Sequence, residues 1–132
     1  MTYQTDRSQE LYKRALAHFA GGVGSGTRGP GGGWMHGPLY VTHGEGSHLW
    51  DVDGNEYIDY LMALGPLILG HRPAPVIKKV CQVLQERGSL FALAHDLEIE
   101  ACELICRMVP SIEVLRFDNS GTAAVQRAVR LA

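Results

Sequence analysis

Apolar residues recur at helical spacing in several stretches of the chain and alternate with polar ones in a short block between them. Leu11, Tyr12, Ala15, Leu16 and Phe19 share one face of a helix predicted over 8–20, with Lys13, Arg14 and His18 elsewhere. Gly21 and Gly22 end it. Val76, Ile77, Val80, Cys81 and Leu84 make the stripe of a second helix over 74–87. Leu97, Ala101, Leu104, Ile105 and Met108 make that of a third over 96–108, which Pro110 closes. Asp96 and Glu98 suit the positive end of that helix. The block at 39–60 predicts three strands, 39–42, 47–52 and 56–60, with Gly44-Glu45-Gly46 and Asp53-Gly54-Asn55 as turns. The glycine-rich stretch 21–38 predicts no regular element, and long irregular segments of this kind are often functional. Another loop covers 64–71. Finally an apolar strand over 113–118 feeds Asn119-Ser120-Gly121-Thr122, which opens a last helix.

That last pairing implies an α/β fold class. One apolar strand flanked by helices is part of an α/β layer whose parallel neighbours are missing. The expectation is therefore an incomplete domain with exposed apolar surface. Composition agrees with a globular chain of 132 residues, 45% hydrophobic and 20% charged. The formal net charge of -2 argues against nucleic acid or an anionic membrane as partner. No apolar run reaches the roughly 18 residues needed to span a bilayer, and 1–6 do not read as a secretory signal. Cys81, Cys102 and Cys106 read as buried free thiols of a reducing, cytoplasmic compartment.

Several motifs carry candidate chemistry. Gly24-x-Gly26-x-x-Gly29 matches the dinucleotide pattern in letters, but a helix precedes it where a strand is needed. Asp51-x-Asp53-Gly54-Asn55 echoes a calcium loop, with Gly54 misplaced and Met62 where the bidentate Glu belongs; it reads better as a hairpin turn. The histidines show no metal-ligand spacing, and no metal site is expected; His71 stands out for closing a loop of small residues. Arg28 lies in the glycine-rich loop, either solvated or reaching into a cleft. Ser120, Gly121 and Thr122 serve equally as a helix cap or as a phosphate cradle of backbone amides and hydroxyls.

The whole chain resembles the N-terminal part of the class III pyridoxal-phosphate aminotransferases. Within them it is most like the glutamate-1-semialdehyde 2,1-aminomutases and the β-amino-acid aminotransferases. Gly21-Gly22-Val23-Gly24-Ser25 with Arg28, the run from Trp50 to Tyr60, Gly65-Pro66-Leu67-Ile68-Leu69-Gly70-His71, Val109-Pro110-Ser111-Ile112-Glu113 and Arg116-Phe117-Asp118-Asn119-Ser120-Gly121-Thr122 carry the likeness, in the family's order.

The resemblance implies a fold-type-I transferase. Residues 1–60 would hold the N-terminal helix, glycine-rich loop and antiparallel β-meander, and 61–132 would begin the large, cofactor-binding domain. It implies that Ser120, Gly121 and Thr122 hold the phosphate of pyridoxal 5'-phosphate, that Ser25 lines the substrate pocket, and that Arg28 pairs with a substrate carboxylate. The family's Schiff-base lysine has no match among Lys13, Lys78 and Lys79, so these 132 residues alone are expected not to catalyse. The implied parent is a homodimer acting on a small amino or keto acid. The competing reading is a non-catalytic binding or regulatory module that pairs with a full-length relative. Three departures stand out: Ala123 replaces the family's Glu, Leu64 replaces an aromatic residue, and the early loop is richer in Gly.

Overall fold

The computed structural model describes residues 3–29, 37–89 and 91–132. Pro30 and His36 of the glycine-rich stretch lie outside them. Two compact units emerge, Met1–Arg87 and Gly88–Ala132.

The first unit opens with helix α1, Asp6–Leu16. A short 3-10 turn, Ala20–Gly22, follows. Gly22 sits at φ 74°, and a side chain there would collide with the Tyr12 ring and approach Leu16 at 3.3 Å. A glycine is therefore required where this turn packs back on α1, but the helix itself stops at Leu16 with Ala17 as its C-cap, short of the predicted 8–20 and of Gly21 and Gly22. Strands β1 Val41–Glu45, β2 His48–Asp51 and β3 Glu56–Ile58 form an antiparallel meander in the order β1-β2-β3. The register pairs His43 with Trp50 and Leu49 with Tyr57.

The first strand runs further than the predicted 39–42, and the predicted turn at 44–46 begins later. The register slips at Thr42, whose hydroxyl donates to the Trp50 carbonyl at 3.0 Å. Gly44 and Glu45 then stay in the ladder, and Gly46 forms an isolated bridge with His71. Helix α2, Ala74–Arg87, ends the unit with the bounds its periodicity predicts.

Polar contacts tie α1 to the meander. Asp53 at the β2–β3 turn accepts the Arg7 amide at 2.7 Å and the Ser8 amide at 3.0 Å, and the Ser8 hydroxyl as well. Thr5 at the N-cap makes no side-chain cap of its own, so Asp53 caps the helix from across the fold. Tyr3 stacks on Tyr57 at 5.1 Å.

Asp51 is the most buried charged side chain described, at 4% exposure. Its carboxylate accepts from the Asp53 amide, the Asn55 amide and side chain, and the Tyr57 hydroxyl at 2.8–3.0 Å. The faint calcium-loop pattern is thus a turn whose carboxylates are taken up by protein donors. Burial raises the Asp51 pKa, but those hydrogen bonds outweigh it and hold the carboxyl below its ordinary 3.8.

The second unit holds α3, Asp96–Met108, and α4, Gly121–Leu131. The His95 side chain caps α3 by accepting the Leu97 amide at 3.1 Å. The strand predicted over 113–118 does not form among the described residues. A strand is a property of a pair, and no neighbour lies beside this segment to complete a ladder. No large apolar side chain among the described residues is fully buried, and Val76, Ile77, Val80 and Leu84 of α2 are all 44–48% exposed. The cysteines predicted as buried are not: Cys81 is exposed and Cys102 and Cys106 are intermediate. They lie on helix faces left uncovered, and all three are free thiols.

Candidate functional site

Two places carry the sequence-predicted site residues, one in each unit. In the first unit Ser25 precedes the 3-10 turn Gly26–Arg28, and its carbonyl accepts the Arg28 amide at 2.9 Å. The Ser25 hydroxyl lies 3.1 Å from that of Thr27. Arg28 is exposed, and its side chain has no hydrogen-bond or ion-pair partner among the described residues. It lines two cavities. One, of about 440 Å³, is walled by Leu11, Phe19, Val23 and Tyr40. The other, of about 290 Å³, is walled by Leu39, Asp59, Leu61, Ala63 and His71. A guanidinium without a partner beside mostly apolar walls suits a planar anion such as a carboxylate. The Tyr40 hydroxyl is buried and has no partner among the described residues.

The wall of the smaller cavity is an unusual turn. Met62, Ala63 and Leu64 have φ of 43°, 54° and 65°, and Gly65 has φ 114°. Left-handed backbone costs a non-glycine residue about 1–2 kcal/mol. Three in succession persist only when their surroundings enforce them. Asp59 does so: one carboxylate oxygen accepts the amides of Leu61 at 2.9 Å and Met62 at 3.0 Å. The other meets His71 Nε2 at 2.7 Å. An ionised carboxylate only accepts, so Nε2 carries the proton. Burial raises the Asp59 pKa, but the His71 hydrogen bond and the two amides outweigh it and keep the pKa below 3.8. His71 is itself anchored. Its amide and carbonyl bond Gly46, and its ring lies where a side chain at Gly44 would meet it at 2.6 Å.

His71 stood out in the sequence, whereas its partner Asp59 read only as a strand residue. The missed signal was an Asp two residues before the amide it caps.

In the second unit Ser120, Gly121 and Thr122 come together at the start of α4. The Ser120 hydroxyl accepts the Ala123 amide at 3.2 Å, which is the cap reading. The amides of Gly121 and Thr122 and the Thr122 hydroxyl have no partner among the described residues. The first turn holds no acidic residue, because Ala stands at position 123. A side chain added at Gly121 would meet nothing within 4 Å, so the helix start is open on that side. Asp118 just upstream is neutralised by Arg127 Nε at 2.7 Å. Open amides, a hydroxyl, a helix of 11 residues and no competing carboxylate fit a phosphate group. The cap therefore leaves room for the anion reading. Serine takes the third amide and leaves the first two.

Among the described residues no group of three or more His, Cys, Asp or Glu is placed to hold a metal ion. None of their helices is long and apolar enough to cross a membrane.

Comparison with known proteins points the same way. Residues 32–132 match the family described as aminotransferase class-III. The chain is 46% identical over 129 residues to a glutamate-1-semialdehyde 2,1-aminomutase of Syntrophomonas wolfei subsp. wolfei, which covers 98% of this chain and 30% of that protein. It superposes on an omega-transaminase of Sphaerobacter thermophilus with a TM-score of 0.84 at 33% identity, over 92% of this chain and 27% of the other. A transaminase solved with PLP bound gives a TM-score of 0.89 at 31% identity, over 98% and 29%. The chain thus spans about 30% of the length of the curated relatives it matches.

Proposed function

Because the chain belongs to the class-III aminotransferase family, we propose that it supplies the cofactor-phosphate cradle and a substrate-carboxylate contact of a pyridoxal-phosphate enzyme. That enzyme moves an amino group on an amino-acid-like carboxylate, by transfer between molecules or within one. The start of α4 carries this reading. Two amides and a hydroxyl have no partner among the described residues at the positive end of an 11-residue helix, whose start is open around Gly121. When bound there, pyridoxal phosphate supplies the electron sink for the chemistry. Ser120, Gly121 and Thr122 hold its phosphate. Ser25 lines the substrate pocket, and Arg28 holds the carboxylate in bidentate fashion and sets which end of the substrate faces the reaction. Neither Lys13, Lys78 nor Lys79 is assigned the catalytic role. On this reading the complete polypeptide is a cytoplasmic homodimer acting on small amino and keto acids.

The test is amino transfer by the complete polypeptide that carries this chain, across a panel of α-, β- and γ-amino acids. Arg28→Ala is expected to raise KM for the carboxylate substrate about 10- to 100-fold, the loss of a charge-assisted contact. Arg28→Lys recovers only part, since an ammonium lacks the fork. An unmoved KM in Arg28→Ala removes Arg28 from the site.

A further inference from the structure

We propose that Asp59 and His71 are positioning residues for substrate binding: together they fix the left-handed turn at 62–65, and that turn sets the shape of the cavity that Arg28 lines. The inference rests on the reading of Arg28 given above.

Four observations carry it. The turn holds three consecutive non-glycine residues in left-handed backbone, a conformation that does not hold itself. Its entry is tied by one carboxylate to two of its own amides, at Leu61 and Met62. The same carboxylate reaches His71, twelve residues on, so the loop is closed at both ends by one side chain. Leu61 and Ala63 of the turn line the 290 Å³ cavity together with Arg28, Asp59 and His71.

The pair is rigid because His71 is held on its far side by the meander. Its backbone bonds Gly46 in both directions, at 2.7 and 3.1 Å, and Gly44 has no side chain where the ring lies. The side chains of Asp59 and His71 are 9% and 21% exposed. The Asp59 carboxylate is thus occupied by three donors and makes no ion pair with Arg28 among the described residues. Loosening the pair lets Leu61 and Ala63 move relative to Arg28. It acts on binding and leaves the reacting groups untouched.

The experiment uses the complete polypeptide, loaded with pyridoxal phosphate and supplied with an amino acid that the wild type accepts. His71→Ala is expected to raise KM about tenfold with kcat within about threefold, the mark of lost ground-state positioning. His71→Gln, which keeps an N–H donor, recovers most of that loss. His48→Ala, whose side chain is 42% exposed and lines neither cavity beside Arg28, stays within about twofold of wild type in both constants. Deuterium exchange over 59–65 gives a second readout that needs no variant to be active. In the wild type the Leu61 and Met62 amides are expected to be protected at least about tenfold, and Asp59→Asn to lose part of that protection. A KM in His71→Ala and Asp59→Asn that matches wild type overturns the proposal. So do unprotected Leu61 and Met62 amides in the wild type, even if His71→Ala does not fold. Absence of turnover and of cofactor uptake in the wild type would instead defeat the functional reading. Normal turnover with an unmoved KM defeats the positioning role alone.

Discussion

Asp51 shows how much of the first unit depends on one side chain. It is 4% exposed and accepts four hydrogen bonds from the turn that follows it and from Tyr57. Replacing it with alanine strands those donors, at a cost of about 3 kcal/mol. Exchange of the Asp53 and Asn55 amides in Asp51→Ala is then expected to rise about 100-fold, and unchanged exchange would mean that the turn holds without it. Tyr57 reports the same contact from the other side. Its burial, then the adjoining Asp51 carboxylate, push its hydroxyl well above the ordinary tyrosine pKa of 10.0. At residue scale the sequence told residue types but not partners. Asp53 reads as a turn residue and Asp51 as the end of the strand before it, and that is where they lie. That Asp53 also caps α1, some 45 positions away, was invisible, because nothing local in Arg7 and Ser8 marks their amides as its partners.

Elements were legible where a periodic stripe has firm stops. Helices α2 and α3 have the predicted bounds because the stripe of each is closed by its own flanking residues. Strand β1 was misplaced because its end depends on the bulge at Thr42 and the His71 bridge to Gly46, both set by distant residues. The predicted strand at 113–118 has the right side chains and no ladder, so composition alone misled. The docking of α1 belongs at this scale. Asp53→Ala is expected to raise exchange at the Arg7 and Ser8 amides while leaving the β1–β2 ladder unchanged. Equal loosening of both would mean that the contact holds the meander and not just the helix.

At the scale of the whole molecule, three carboxylates give the first unit an acid limit. For Asp51, Asp53 and Asp59, burial raises the pKa in each case and hydrogen-bond donors more than offset it, leaving each below 3.8. A group with a depressed folded pKa binds fewer protons folded than unfolded. Its stabilisation is complete above the unfolded value and is lost as pH falls through the folded one. Protection factors at Asn55, Leu61 and Met62 are therefore expected to hold down to about pH 4 and to fall below it. Protection that persists well into acid would show that these carboxylates do not hold the fold.

The family was legible in the sequence because its motifs fall in one order along the chain. The start of α4 is legible only as a choice between cap and anion site, since one pattern serves both. The most direct test separates them. Aspartate at position 121 suits the positive end of α4, so Gly121→Asp leaves the helix as stable or more so, yet it repels a phosphate. Pyridoxal phosphate is titrated into the complete polypeptide and into its Gly121→Asp variant, with binding followed by absorbance. Stoichiometric uptake by the wild type is expected, with affinity at least about 100-fold weaker in the variant and thermal stability retained. Equal affinity in the two proteins would contradict the anion site and leave the start of α4 as a helix cap alone.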